Sequence, residues 1–97
     1  MSADSIAVRH NQVENRYEAV VDGRLSVCEY EALDGKWVFT HTFVPPELRG
    51  RGIAEQLVRA ALAGAGAAGV RVVPACSYVA KFFERHKEYQ GLLDDSR

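Results

Sequence analysis

The chain is 97 residues long, 47% of them hydrophobic and 26% charged, and its formal net charge is −1. A chain of this length and balance is expected to form one folded domain over residues 1–97, which argues against disorder beyond the termini. A charge near zero offers no overall field to a nucleic acid, and the lack of long apolar runs or a signal-like start predicts a cytoplasmic protein without a membrane partner.

The first half of the chain predicts an antiparallel β-meander. Strands over 17–21 and 25–30 flank Asp22-Gly23, a dipeptide that favours a tight hairpin turn. Asp34-Gly35 marks a second turn, and 36–44 then alternates with the period of a strand, which places His41 on the face of Trp37, Phe39 and Phe43. A weaker strand pattern covers 6–10. Pro45-Pro46 ends the meander because proline donates no backbone hydrogen bond.

The second half predicts a β-α-β-α unit. Apolar residues from Ile53 to Ala65 follow a helical stripe, and Gly69 is expected to cap the helix in a left-handed conformation. A strand over 70–75 and a helix beginning near Tyr78 follow, so the first helix makes a right-handed crossover between parallel strands. The fold class is therefore α+β, with frayed ends at 1–5 and 93–97.

The loop 47–52 lies between a strand and a helix, where unpaired amides and the helix dipole favour an anion. Gly50 and Gly52 leave the backbone accessible to a phosphate, and Arg49 and Arg51 add positive charge. The alternative to phosphate binding is a glycine-rich turn with two solvated arginines. The loop lacks the Lys-Ser/Thr pair of a P-loop, and a G-x-G-x-x-G match at 64–69 follows a helix, the wrong context for dinucleotide binding.

With its context, Arg49-x-x-Gly52-x-Ala54 resembles the acetyl-CoA signature of the GNAT superfamily. Segments 41–54, 73–79 and 86–89 are more closely similar to the very small GNAT-like family represented by N-acetyltransferase domain-containing protein 1. The resemblance implies a minimal GNAT-like fold whose parallel strands splay apart at a cleft for acetyl-CoA or CoA. It implies that the pyrophosphate is held by the amides of Arg49, Gly50, Arg51, Gly52, Ile53 and Ala54, and that the backbone near Phe43 and Val44 pairs with the pantetheine arm.

Cys76 is a candidate catalytic nucleophile because it ends a strand just before a helix, where the dipole favours a thiolate. The alternative is a small buried side chain. Cys28, in a hairpin strand, is interpreted as structural. The two cysteines form neither a C-x-x-C pair nor a disulfide framework, and we expect free thiols and no metal site.

His41 is a candidate general base that could pair with Cys76, although a histidine on an apolar face is often a core residue. Tyr78 is a weaker candidate, either a proton donor to the departing thiolate or a core tyrosine. His10 and His86 are expected at the surface. Phe83 stands where many members of the superfamily carry a tyrosine acid, so the usual general acid is missing.

The leading hypothesis is acetyl transfer from acetyl-CoA to an amine, directly or through Cys76. The amine acceptor stays open between a small molecule and a protein lysine or N-terminus. The chain is too short for the elements that shape an acceptor pocket in larger members, so an acceptor site would be shallow, supplied by a partner or absent. The alternative is a CoA or acetyl-CoA binding module without efficient catalysis. A nucleic-acid binder is the least favoured hypothesis, since no basic and aromatic platform is evident. We expect a monomer or a weak homodimer.

Overall fold

The computed structural model of the protein describes residues 6–94. Its five strands lie in chain order in one sheet, antiparallel except for the last pair, and two helices follow β4 and β5. The elements are β1 (Arg9–Asn11), β2 (Arg16–Val21), β3 (Arg24–Leu33), β4 (Lys36–Phe43), α1 (Ile53–Ala68), β5 (Arg71–Pro74) and α2 (Ser77–Arg85), with short 3₁₀ helices at Pro46–Leu48 and Lys87–Leu92. The predicted α+β meander with a β-α-β-α unit is confirmed.

Both predicted hairpin turns are present. Asp22 and Gly23 have φ of 53° and 75°, and Asp34 and Gly35 have φ of 50° and 75°, the positive angles that a two-residue hairpin requires. The strand expected over 6–10 is displaced, since β1 covers Arg9–Asn11 and pairs with β2. Its position is set by pairing with β2 rather than by its own weak pattern.

The long helix α1 buries the predicted apolar stripe and ends as predicted. Gly69, with φ of 73°, closes it by donating its amide to the carbonyls of Ala65 and Gly66. The glycines of the G-x-G-x-x-G match lie in this helix end, so the match has a structural role. A Cβ on Gly64 would overlap the hydroxyl of Tyr17, so glycine at this position lets α1 approach the sheet closely.

One face of the sheet, here the helix face, forms the core with α1 and α2. Its buried strand residues include Tyr17, Cys28, Tyr30, Trp37, Phe39 and Val72. The opposite side, here the open face, carries the cross-strand pairs Val20–Leu25, Val27–Phe43 and Glu29–His41. Within residues 6–94 both helices contribute to the core on the helix face, and the open face keeps exposed side chains such as Val20, Leu25 and His41.

A β-bulge reverses the faces of β4 near its end. Tyr30 pairs with Phe39 and Glu29 pairs with His41, so Thr40 has no partner on β3. The expectation that His41 shares a face with Trp37 and Phe39 is therefore wrong. His41 and Phe43 lie on the open face, and it is Thr42 that returns to the helix face.

The parallel strands separate as expected. Pairing of β4 with β5 stops at Phe39 and Pro74, and the amide of Cys76 donates to the carbonyl of Phe39 over 2.7 Å. Beyond this point β4 continues to Phe43 with β3 alone beside it. The strands β4 and β5 thus separate at Pro74, which ends β5.

The chain beyond α2 returns to the outer edge of β5. Leu93 forms a parallel bridge to Val72, and the amide of Asp94 donates to the Val72 carbonyl over 2.9 Å. Residues 93 and 94 are therefore ordered against the sheet rather than frayed, and 1–5 and 95–97 lie outside the described residues. In the part of the chain that is described, no helix has the length and apolar character needed to cross a membrane.

The two histidines expected at the surface are partly buried. His10 stacks on Tyr17 with ring centroids 4.1 Å apart, and its Nε2 lies 2.6 Å from the Tyr30 hydroxyl. Burial lowers the pKa of His10. His86 packs against Phe82 at 4.2 Å between centroids. Each histidine joins neighbouring elements, which its sequence neighbourhood did not indicate.

Candidate functional site

A cleft of about 450 Å³ opens between the end of β4 and the beginning of α1. The strand end, the 3₁₀ turn after it and the first turn of α1 form most of its wall, and one residue of α2 completes it. The lining residues are Thr42, Phe43, Val44, Leu48, Arg49, Gly50, Gly52, Ile53, Ala54, Glu55 and Tyr78. Seven of the eight residues predicted to hold a cofactor lie in this wall.

The eighth, Arg51, points elsewhere. Its Nη1 lies 2.8 Å from the Asp22 carboxylate, in the hairpin between β2 and β3. The pair ties the loop before α1 to that hairpin, and Arg51 is absent from the cleft wall. The two arginines of the loop, equivalent in the sequence, therefore have different surroundings.

The beginning of α1 is shaped to receive an anion. Gly52 is its N-cap residue with φ of 77° and no side-chain capping hydrogen bond, and Gly50 has φ of 85°. A Cβ on either glycine would meet no atom within 4 Å, so the space in front of the helix is open. The first amides of a helix lack intrahelical acceptors and carry the positive end of its dipole. A phosphate group has both the charge and the acceptor oxygens that match them.

Arg49 fastens the loop to the strand end. Its Nε donates a hydrogen bond of 2.9 Å to the carbonyl of Val44, and its guanidinium carbon lies 6.0 Å from the centroid of the Phe43 ring. This arrangement holds one positive charge at the cleft wall. It also fixes the turn that directs the chain from β4 into α1.

Glu55, a polar residue of the first turn of α1, also lines the cleft. Its carboxylate accepts a hydrogen bond of 3.0 Å from Arg59, one helical turn later. Arg59 also lies over the rings of Phe82 and Tyr89 and donates to the Tyr89 hydroxyl over 3.2 Å. The position of Glu55 in the first turn was the available signal, and Arg59 partly neutralises its charge.

Cys76 lies on the helix face beside the cleft wall. Its thiol is 3.6 Å from the hydroxyl of Thr42, which in turn is 3.8 Å from the sulfur of Cys28. Burial raises the pKa of Cys76, but the amides of Val79 and Tyr78 and the Thr42 hydroxyl outweigh it, so the pKa of Cys76 is lowered overall. These groups favour the thiolate, the charged form that appears when Cys76 ionises.

The second cysteine has the opposite character. Cys28 is fully buried, and burial raises its pKa to about 12. Both cysteines are free thiols. Of the two, only Cys76 combines partial exposure with a lowered pKa, the combination that reactivity requires.

His41 and Cys76 are not brought together. Thr42, the residue that contacts Cys76, directly follows His41 in β4, and successive strand residues point to opposite faces. His41 is exposed on the open face, opposite Glu29 in the register, and its ring is nearly parallel to that of Phe43 with centroids 6.3 Å apart. The proposed thiol-imidazole pair therefore does not form.

Tyr78 lies in the cleft wall with 39% of its surface exposed, so it is not a core tyrosine. Burial, followed by the nearby charge of Glu55, raises the pKa of Tyr78. Phe83 is 3% exposed and packs in the core, away from the cleft wall. The one phenol at the cleft is that of Tyr78, among residues 6–94.

The fold and this cleft define an acetyltransferase-like domain. The family model of the GCN5-related N-acetyl-transferases matches residues 16–92, and the protein belongs to that family. It is also similar to the NMR structure of a GCN5-like candidate N-acetyltransferase from Staphylococcus aureus, with a TM-score of 0.74 over 100% of this chain and 94% of that chain. The sequence identity is 23%, so this likeness concerns the fold.

Proposed function

We propose that the protein binds acetyl-CoA in the cleft and transfers its acetyl group to an amine. The observation that carries the proposal is the beginning of α1, where uncapped amides and open space before Gly52 lie next to the end of β4 that no longer pairs with β5. Membership of the GCN5-related family supports it. A helix end and a free strand edge suit the two parts of such a ligand, a charged pyrophosphate and an extended amide-bearing arm.

The chain's own residues fit that ligand. The amides from Gly50 to Ala54 and the charge of Arg49 would hold the pyrophosphate, and backbone groups near Phe43 and Val44 would pair with the pantetheine arm. When bound, acetyl-CoA supplies an acetyl group activated as a thioester. A strand-end amide near Phe43 or Val44 polarises the carbonyl of that group.

Two proton transfers accompany the reaction, and the residues proposed for them lie on different sides of the sheet. His41, exposed on the open face, accepts the proton that the attacking amine loses, directly or through water. Tyr78, in the cleft wall, is the group available to return a proton to the departing thiolate. Since Phe83 cannot serve as the acid, Tyr78 is the candidate for that role.

The lowered pKa of Cys76 and its contact with Thr42 favour a variant of this function. In it the Cys76 sulfur bonds to the acetyl carbon as the bond from that carbon to the CoA sulfur breaks, and the CoA thiolate leaves. The amine then attacks the acetylated Cys76, which regenerates the thiol after proton transfer.

Three narrower inferences belong to the same proposal. Segments 41–54, 73–79 and 86–89 support a place in the very small GNAT-like family represented by N-acetyltransferase domain-containing protein 1. Two free thiols and a mixed, weakly charged composition support a cytoplasmic location. A small domain of this kind is expected to act as a monomer or weak homodimer.

Calorimetric titration with acetyl-CoA and with CoA tests the proposal in three proteins: wild type, Gly52→Ala and Gly35→Ala. The two glycines have φ of 77° and 75° and open space around them, so alanine imposes similar backbone strain in both variants. Only the methyl at position 52 stands before the amides of α1. We expect Gly35→Ala to bind like wild type and Gly52→Ala to bind at least about tenfold more weakly, about 1.4 kcal/mol.

Equal affinities in the two variants would refute the site, and a wild type that binds neither ligand would refute the function. Binding without transfer to any amine would favour the binding module instead, the hypothesis that buried Phe83 supports. Mass spectrometry of candidate amines after incubation with acetyl-CoA makes this distinction.

A further inference from the structure

We infer that the open face of the sheet is the docking surface for the acceptor, and that the acceptor is an extended polypeptide segment presenting a lysine. This inference rests on the proposed function and deepens it. It starts from an apolar patch on that face, formed by Val20, Leu25, Val27 and Phe43. The exposed fractions of Val20, Leu25 and Phe43 are 69%, 40% and 40%, and Val27 lies between Leu25 and Phe43 with 7% of its surface exposed.

The patch is continuous and reaches the cleft. Val20 lies opposite Leu25, Val27 lies opposite Phe43, and Leu25 and Val27 are same-face neighbours on β3. Phe43 is also part of the cleft wall. A ligand packed on this patch therefore touches a residue of the proposed acetyl-CoA site.

A polar pair lies one step along β4 from the patch. Glu29 and His41 are cross-strand partners, so their Cβ atoms are about 5 Å apart on the same face. The Glu29 side chain is 38% exposed, and its nearest cation, Arg16, is 3.9 Å away. A carboxylate attracts an ammonium group and an imidazole can accept its proton, so the pair suits a primary amine.

The amine at this pair is close to the opening in the sheet. Pairing between β4 and β5 ends at Phe39 and Pro74, and His41 lies just beyond, where β4 pairs with β3 but no longer with β5. Cys76 contacts Thr42 on the other side of the same strand segment, and the cleft wall includes both Thr42 and Phe43. An amine at this pair thus approaches the cleft from the side of the sheet opposite Cys76.

The shape of the surface selects the occupant. Within residues 6–94, the cleft described above lies at the end of β4 rather than over the open face, so affinity on this face must come from an extended contact. The patch spans two residue pairs across three strands, on the order of 200 Å². A stable dimer needs about 800 Å² from each partner, so a second copy fits poorly and a transiently bound peptide fits well.

Spacing predicts the acceptor sequence. His41 and Phe43 are two residues apart on one face, about 7 Å along the strand. An extended peptide with a lysine at the Glu29–His41 pair would present the side chain two positions away to Phe43 and Val27. Lysine peptides with leucine at that spacing should be better acceptors than peptides with aspartate there.

The test uses the whole protein with acetyl-CoA and three acceptors: a Leu-Gly-Lys peptide, an Asp-Gly-Lys peptide and spermidine. Acetylated product is measured by mass spectrometry for wild type, Leu25→Asp and Leu33→Asp. Leu33 is a matched control because it lies on the same face at the far end of β3, opposite Lys36, and is 53% exposed. A second exposed patch variant, Val20→Asp, guards against a folding defect in Leu25→Asp.

We expect kcat/KM for the leucine peptide to fall about tenfold or more in Leu25→Asp and Val20→Asp and to change less than twofold in Leu33→Asp. In amide NMR spectra of the CoA-bound protein, the peptide should shift Leu25, Val27 and His41. Equal loss in Leu25→Asp and Leu33→Asp, preference for spermidine, no peptide acetylation, or shifts confined to other residues would overturn the docking surface. If acetyl-CoA still binds in those cases, the proposed cofactor site stands; if it does not, the proposed function itself has failed.

Discussion

Replacing Gly64 by alanine is expected to destabilise the protein, although alanine is the better helix former. In the middle of an exposed helix the change would stabilise by about 1 kcal/mol. Here a Cβ would overlap the Tyr17 hydroxyl and stand 2.9 Å from the ring carbon Cζ. Tyr17 is 6% exposed and stacks on His10, so its ring has little room to move. Overpacking of this kind costs about 1 to 3 kcal/mol, and a direct overlap of atoms lies in the upper half of that range. After the gain of about 1 kcal/mol in helix propensity, the net loss is about 1 to 2 kcal/mol.

Gly66→Ala is the matched control. It lies two residues later in α1, where the nearest atom to a new Cβ is a Leu92 methyl at the ordinary distance of 3.6 Å. This variant should gain up to about 1 kcal/mol from helix propensity. Gly64→Ala and Gly66→Ala, two changes in the same glycine-rich run, are thus predicted to change the stability of the protein in opposite directions.

Thermal denaturation, for Tm, and urea denaturation, for the free energy of unfolding, are followed by circular dichroism for both variants. For a domain of this size, Gly64→Ala should lower Tm by roughly 5 to 10 °C and Gly66→Ala should raise it. Adding Tyr17→Phe to Gly64→Ala removes the overlapping oxygen but leaves the contact at Cζ. It should therefore restore only part of the loss, about 1 kcal/mol of coupling in the double-mutant cycle. A Gly64→Ala protein as stable as wild type, or no coupling to Tyr17→Phe, would refute the packing argument.

Two further predictions concern a carboxylate and a thiol. Hydrogen bonds from Arg16 and Arg9 lower the pKa of Glu18 to about 2, so its stabilisation is complete above roughly pH 4.3 and is lost as the pH falls toward 2. Glu18→Gln should thus lower the free energy of unfolding by about 1 kcal/mol at pH 7, a figure reduced for the solvent around exposed Arg9. In acid unfolding curves this difference from wild type should vanish near pH 2. A difference that stays constant with pH would contradict the prediction. If Cys76 accepts the acetyl group, intact-protein mass spectrometry after incubation with acetyl-CoA alone should show one added acetyl group, absent in Cys76→Ala and retained in Cys28→Ala. An unmodified wild type would count against the covalent variant.

Local sequence signals predicted most elements because each is produced by local chemistry. Asp22-Gly23 and Asp34-Gly35 adopt the positive φ angles that tight turns need, and Gly69 ends α1 in the left-handed conformation. Seven of the eight proposed cofactor residues share one cleft because they are nearly contiguous in the chain. Whether they hold acetyl-CoA remains a prediction.

The β-bulge at Thr40 could not be predicted from the alternating pattern of the sequence. An alternating segment predicts one face for His41 and Phe39, but the pairing of β3 with β4 slips by one residue between Glu29 and Tyr30. A slip of one residue exchanges the faces of everything that follows. This is why the expected partnership of His41 with Cys76 is replaced by one between Cys76 and Thr42. The contacts of His10 likewise depend on tertiary packing.

The return of residues 91–94 to β5 has a consequence for self-association. An outer strand with free backbone groups invites pairing with another chain, and natural proteins protect such edges. Here Leu93 and Asp94 occupy the backbone of Val72, while the Asp94 carboxylate lies 3.1 Å from Lys36. This segment protects the edge of the sheet. A change that released it would withdraw Leu93 from the margin of the core and give β5 a template on which a neighbouring molecule could add a strand.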